Sequence, residues 1–260
     1  MGGPGRTVGR VEEGDILIQL DGRRPKSELS IVEAQLRELA ARKARLQAER
    51  DNAEEIAFDP DLVALAASRP EVDKLVQGER TLFQSRNESL EQEVSLLNEQ
   101  NQQIEDRIAG LQAQLDALNE QAGLTQDDLD SEQQLLDQNL TRASRVSELM
   151  RELAGLKGQI GRLEAESAEL RGQKTSNGIA LLQLKTQRRE NAVSRLRDLE
   201  FREIELAERR LSLQDTISRL DIRAPVGGIV YGLQVFGAQS VVQAAQPLMY
   251  IVPQDQPLVV

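Results

Sequence analysis

The stretch FQSRNESLEQEVSLLNEQNQQIEDRIAGLQAQLDALNEQA (Phe83–Ala122) decides the fold. Phe83, Asn87, Leu90, Val94, Leu97, Asn101, Ile104, Ile108, Leu111, Leu115, Leu118 and Ala122 follow one another at alternating steps of four and three. Eleven consecutive intervals of that kind mark one seam of a coiled coil, because a 3.5-residue average keeps a stripe facing a partner helix. Asn87 and Asn101 sit on the seam. A buried Asn there lowers stability and fixes register, and a locally wet seam accounts for it equally well.

Composition agrees with a rod rather than a globule. Of 260 residues only 2% are aromatic, none is Trp, and 29% are charged. Aromatic side chains normally supply much of a compact core's buried area. Here Leu, Ile, Val and Ala carry the apolar content among Glu, Gln and Arg, the usage of long helices. The formal net charge of −11 disfavours wholesale phosphate binding, so no nucleic-acid partner is expected. There is no Cys and no His. That removes disulfides, thiolate metal sites and the commonest general base. Asp127–Asp128 and Glu12–Glu13 read as solvated faces rather than acid–base pairs. GGPG and VGG are followed by no Gly-Lys-Ser/Thr and are not phosphate loops. Neither an enzyme activity nor a cofactor is expected. No run of about 18 apolar residues is present, and no signal peptide is visible. The opening MGGPGR carries no weight in the fold.

Outward from the seam, Leu129 and Leu136 continue it past Gly123. The leucine rhythm falters at DQNLTRAS (Asp137–Ser144) and resumes with Leu149, Leu153, Leu156, Ile160, Leu163 and Leu170. Two matched heptad arrays around a break predict an antiparallel hairpin whose tip spans about 136–145. RGQKTSNG follows, with Gly172 and Gly178 weakening the helix. The seam returns at Leu181 and Leu184, then shifts by a stutter before Ala192, Leu196 and Leu199. The basic cluster Lys185–Arg197 contains Glu190 and reads as a salt-bridging helix face. On the N-terminal side, Leu29, Val32, Leu36, Leu39 and Leu46 predict a first helix after Pro25 with Ser27 as its N-cap. FDPDLVALAASRP predicts a short connector, capped by Asp59 with Pro60 next and stopped before Pro70. The expected helices cover about 28–56, 60–68, 71–138 and 143–220. The two long ones would reach roughly 100 Å and roughly 115 Å at 1.5 Å per residue.

Both ends change character. DILIQL lies between the turns EEGD and LDGRRP and reads as a strand. After Leu220 the helical period stops, and Gly228–Gln234 and Leu248–Val252 read as strands. Neither end can bury a core alone. Pairing them predicts one small β domain, residues 7–23 with 221–253, split by the helical region 26–220. The chain is therefore read as mainly α: a long antiparallel coiled-coil hairpin, with an extra first helix and a short connector, inserted into a split β domain. Apolar positions outside the seam predict lateral packing of copies.

VEEGDILIQLDG entering the hairpin and LDIRAPVGGIVYGLQVFGAQSVVQAAQPLMYIVP leaving it resemble the periplasmic adaptors, or membrane fusion proteins, of bacterial type I secretion, the HlyD family. IRAPVGGIV (Ile222–Val230) resembles the second half-motif of their lipoyl-like domain. GERTLFQSRNESLEQEVSLL (Gly78–Leu97) and LLDQNLTRASRVSELMRELAGLKGQIGRLEAE (Leu135–Glu166) resemble the protease- and lipase-exporting branch. The likeness covers about residues 11–260. It implies an inner-membrane anchor in the full-length protein, a periplasmic location, an inner-membrane ABC transporter, a TolC-like outer-membrane channel and a secreted protein substrate as partners, and a homo-oligomer, typically a hexamer. It also implies that this chain is a fragment ending at 254–260, where a β-barrel domain begins. The lipoyl-like turns would be Gly14, Asp15, Pro225, Gly227 and Gly228, with no equivalent of the modified Lys. Thr7–Arg10 extend beyond the match and their pairing is open. Members carry a tip motif of Arg, Leu and Ser or Thr. The likeness places its hydroxyl on Thr141 and its leucine on Leu135 or Leu136. Its arginine position falls near Asp130, a departure, with Arg142 or Arg145 as substitutes; Asn139 and Leu140 complete the docking tip. The alternatives are an adaptor of a multidrug-efflux pump, usually with a simpler two-helix hairpin, and a structural coiled-coil tether, which needs no split β ends.

Overall fold

The computed structural model describes residues 9–235, 237, 240–243 and 246–253. The expectations for Thr7, Val8 and residues 254–260 lie outside these. In chain order the elements are β1 (Gly9–Val11), β2 (Ile16–Gln19), α1 (Arg23–Asp51), α2 (Pro60–Ser68), α3 (Pro70–Asp137), α4 (Ala143–Ser218), β3 (Asp221–Arg223), β4 (Gly228–Tyr231) and β5 (Tyr250–Val252). A long helical hairpin joins a split set of strands, as the sequence predicts. Among the described residues no helix is long and apolar enough to cross a membrane. The chain divides into two compact units, residues 1–40 with 198–260, and residues 41–197.

In the first unit every strand pairs across the split or with a strand that does. β1 pairs antiparallel with β4 (Gly9 opposite Val230, Val11 opposite Gly228), and β4 pairs with β5. β2 pairs antiparallel with β3, with a register shift between Ile16 and Ile18. Strands of three or four residues are too short to persist singly, so the two ends stabilise each other. Leu20 donates its N–H to the Leu220 carbonyl at 2.9 Å, closing the join where the helical insertion leaves and returns. A Cβ on Gly22 would lie 2.5 Å from Leu220 Cδ1, so a side chain there would require the Leu220 side chain to shift. Val32, Leu39, Leu199, Ala224 and Val230 are buried.

The first region holds two strands rather than one. The C-terminal strands stop short of the sequence reading: β4 ends at Tyr231 instead of Gln234, and β5 begins at Tyr250 instead of Leu248. Gly232 takes φ +69°, a left-handed backbone that ends the extended run.

α1 starts five residues before the expected 28. Ser27 is inside the helix and is not its N-cap. Asp21 begins it instead, its carboxylate accepting the Arg23 N–H at 3.0 Å. Pro25 falls in the first turn, where a missing N–H leaves no helical bond unmade. α1 also ends at Asp51 rather than 56. Asn52 takes φ 51°, and Ala53 donates its N–H to the Ala48 carbonyl at 2.9 Å, a Schellman-type stop. α4 ends at Ser218 rather than 220, because Leu220 donates to the Ile217 carbonyl and hands the chain to β3.

In the second unit, Asp59 caps α2 by accepting the Asp61 N–H at 2.8 Å, with Pro60 at the first position. α2 lies against α3, and Ala41, Leu62, Val72 and Val76 form a buried cluster there. Beside it is a buried ionic group. Arg45 bridges Glu49 on its own helix and Glu79 of α3, and Arg86 reaches Glu49 at 3.3 Å. Burial opposes the charge of Arg45. The hydrogen bonds that Arg45 donates to Glu79 and then to Glu49 outweigh it, raising the guanidinium pKa above its ordinary value. Farther along, Phe83, Ile104, Leu111 and Leu115 of α3 are buried, all on the heptad seam. Arg188 donates to Asn87, and Asn177 Nδ2 donates to Asn101 Oδ1 at 3.1 Å, so both seam asparagines are partnered by α4.

Candidate docking tip of the helical hairpin

The hairpin turns at residues 138–142, between the end of α3 and the start of α4. Leu140 donates its N–H to the Leu135 carbonyl at 2.8 Å, and Asn139 donates to the Leu136 carbonyl at 2.9 Å. These are the two hydrogen bonds of a Schellman motif, with Asn139 in its left-handed position at φ 60°. Asn tolerates that conformation better than other side chains with a Cβ, since its amide bonds locally. On the far side, Arg145 donates its N–H to the Arg142 carbonyl at 2.9 Å and starts α4. The turn is thus held by backbone bonds at both ends.

Beneath it, Leu129, Val146, Leu149 and Leu153 form a buried cluster against which Ala122 and Leu136 pack. Leu136 therefore faces the seam. Leu135 and Leu140 point out of it, at 40% and 69% exposure. A pair of large apolar side chains left in water on a hydrogen-bonded turn is what a protein contact would cover. Thr141 is half-buried, and Asn139, Arg142 and Arg145 are exposed. Arg145 pairs with Glu148 at 3.5 Å on its own helix face.

Asp130, at the position where the resemblance expects an arginine, accepts a hydrogen bond from Gln126 at 2.8 Å. Leu136 and Leu135 thus differ in kind: one anchors the seam, the other lies open. The heptad pattern does not reveal the charge distribution towards the turn. From Ile108 to Thr141 the chain has Asp116, Glu120, Asp127, Asp128, Asp130, Glu132 and Asp137, and no Lys or Arg. The end of α3 also has no basic residue in its last turn, where the helix dipole would favour one.

The predicted lipoyl-like turns come together in the first unit. Gly14, at φ +88°, donates to the Ala224 carbonyl at 2.9 Å, and Asp15 accepts the Ala224 N–H through its carbonyl at 2.9 Å. The Asp15 carboxylate accepts the Glu12 N–H at 2.8 Å. Pro225 follows the buried Ala224 and is itself exposed. Gly227 lies beside the backbone of Val11 to Glu13. At Gly228 a Cβ would come within 2.4 Å of the Val252 carbonyl oxygen, so only glycine lets β4 and β5 approach.

A family model described as "AprE, long alpha-helical hairpin" matches residues 25–216. The chain belongs to this family. Among curated relatives of this AprE-type chain, it is 36% identical over 251 residues to the "Type I secretion system membrane fusion protein PrsE" of Rhizobium meliloti (strain 1021), covering 96% of this chain and 57% of PrsE. It is 31% identical over 251 residues to the "Proteases secretion protein PrtE" of Dickeya chrysanthemi, covering 96% of this chain and 56% of PrtE. The AprE-type chain therefore spans a little over half the length of these relatives. The crystal structure of the soluble domain of LipC, a membrane fusion protein of a type I secretion system, superposes with a TM-score of 0.89 at 24% identity, covering 95% of this chain and 93% of that one. That likeness shows the fold.

Proposed function

We propose that this chain is part of a periplasmic adaptor that links an inner-membrane ABC transporter to a TolC-like outer-membrane channel for one-step type I secretion of a protein. The full-length adaptor is anchored in the inner membrane and works as a homo-oligomer of hexamer type. Its residues perform no catalytic step and need no cofactor; they hold and present surfaces. The docking surface is the turn of the hairpin, Leu135, Asn139, Leu140, Thr141, Arg142 and Arg145, with Leu136 holding it to the seam. The observation that carries this reading is the exposed Leu135 and Leu140 on a turn closed by two Schellman hydrogen bonds. The family membership and the likeness to proteins named for secretion support the setting. The residues 7–23 and 221–253 serve as the two halves of the lipoyl-like base, with Gly14, Asp15, Pro225, Gly227 and Gly228 making its turns.

The test uses the full-length protein in a secreting strain. Leu140→Asp and Thr141→Arg should leave helical content unchanged by circular dichroism and abolish appearance of the exported protein in the medium. Undiminished export by both variants would overturn the docking reading.

A further inference from the structure

We infer that the α3–α4 coiled coil contains a built-in joint, residues 84–103 against 171–191, at which the two helices open and bend before the segments on either side. No residue of either stretch is buried, although both are helical throughout. On one side, Ile104, Leu111 and Leu170 form a buried cluster with Ile108 and Leu163 packed on it. On the other side, Phe83, Ala192 and Leu196 are buried. The joint thus lies between a packed cluster and a second set of buried residues in the same unit.

Four separate features converge there. The seam is polar where it is closed: Asn101 meets Asn177 at 3.1 Å and Asn87 meets Arg188. Its apolar side chains, Leu90, Val94, Leu97, Leu181 and Leu184, are only half-buried, and apolar neighbours beside the seam lie open. Leu96, Ile179 and Leu182 are 56%, 52% and 68% exposed, and they line an open groove of about 780 Å³ with the half-buried Leu97 and Leu184. Gly172 and Gly178 lie on α4 with nothing within 4 Å of where a Cβ would stand. They permit no close approach and so act on the helix only by lowering its propensity. The step from Leu184 to Ala192 is a stutter, which locally unwinds the supercoil. Local opening is easiest where few apolar contacts must be broken. The stretch from Ile104 through the turn to Leu170 therefore deflects as a packed body about this joint.

Hydrogen exchange read by mass spectrometry on the purified chain tests the joint. Amides in 88–103 and 174–190 should exchange at least about tenfold faster than those in 104–118 and 150–170. Equal or slower exchange in the joint would overturn the inference. Two variants test the cause. Asn101→Leu combined with Asn177→Leu should slow exchange in the joint several-fold and leave the flanks unchanged. Gly178→Ala, which adds a methyl into open space, should slow it as well. If both variants fold with wild-type circular dichroism and exchange in the joint is unaltered, the joint does not arise from these features and the inference fails.

Discussion

Replacing Arg45 by Met should destabilise the helical unit strongly, and replacing its whole ionic group should not. Arg45 and Glu49 are each 4% exposed, and the Glu79 side chain is 12% exposed. Methionine keeps the aliphatic stem in place but leaves the Glu49 and Glu79 carboxylates without their shared cation. Removing one partner of a buried ion pair costs roughly 3–5 kcal/mol. Arg86 still reaches Glu49 at 3.3 Å, which places the loss at the low end, about 3 kcal/mol. For a chain of this size that lowers Tm by roughly 6–12 °C. The triple variant Arg45→Met, Glu49→Leu, Glu79→Leu removes all three charges, and Arg86, half in solvent, can turn outward. It should recover most of the lost stability, because a buried ion pair gains little over a packed apolar group. Thermal and urea unfolding followed by circular dichroism give both values. A single variant that loses less than about 1 kcal/mol, or a triple variant no more stable than the single one, would refute this reasoning.

Gly228→Ala should cost about 1–3 kcal/mol through the clash with the Val252 carbonyl, seen as lost amide protection at 229–231 and 250–252 while the helices keep theirs. Asn139→Gly should leave stability unchanged or slightly raised, whereas Asn139→Val should cost about 1–2 kcal/mol by forcing a β-branched residue into the left-handed region; urea unfolding distinguishes them. The Arg23 guanidinium, and then the Arg23 amide, hold the Asp21 carboxyl at about 2 against an ordinary 3.8. A depressed carboxyl pKa stabilises the fold above the unfolded value and is lost as the pH falls through the folded one. The Tm difference between wild type and Asp21→Asn should therefore be present above about pH 4 and close as the pH falls towards about 2; a difference independent of pH would contradict it.

The long seam was legible because a 3.5-residue apolar period sustained from Phe83 to Ala122 suits a coiled coil and neither a strand nor a globular helix. Phe83, Ile104, Leu111 and Leu115 are buried where that period puts them. The hairpin turn was legible as a fault in the same period. Its exact hold was not, since only the backbone shows Asn139 in the left-handed region and Leu140 bonded back to Leu135. The ends of α1 were misplaced for a related reason. Pro25 looks like a barrier but is harmless in a first turn, and the capping carboxylate, Asp21, stands six residues before the Ser27 that was expected to cap. The Arg45 group was hidden because Glu79 lies 34 residues away, on another helix. Heptad reading ranks positions by hydrophobicity and gives no sign that an arginine is buried. The short strands were visible as a change in composition, but their ends depend on pairing, for β1 and β2 with partners some two hundred residues distant and for β5 with β4.

Site-specific photocrosslinking tests the central claim most directly. A photoreactive amino acid placed at Leu140 of the full-length adaptor in secreting cells should give a covalent adduct with the outer-membrane channel protein. The same probe at Leu182, on the side of the rod, should not. Adducts to the channel from Leu182 and none from Leu140 would contradict the account.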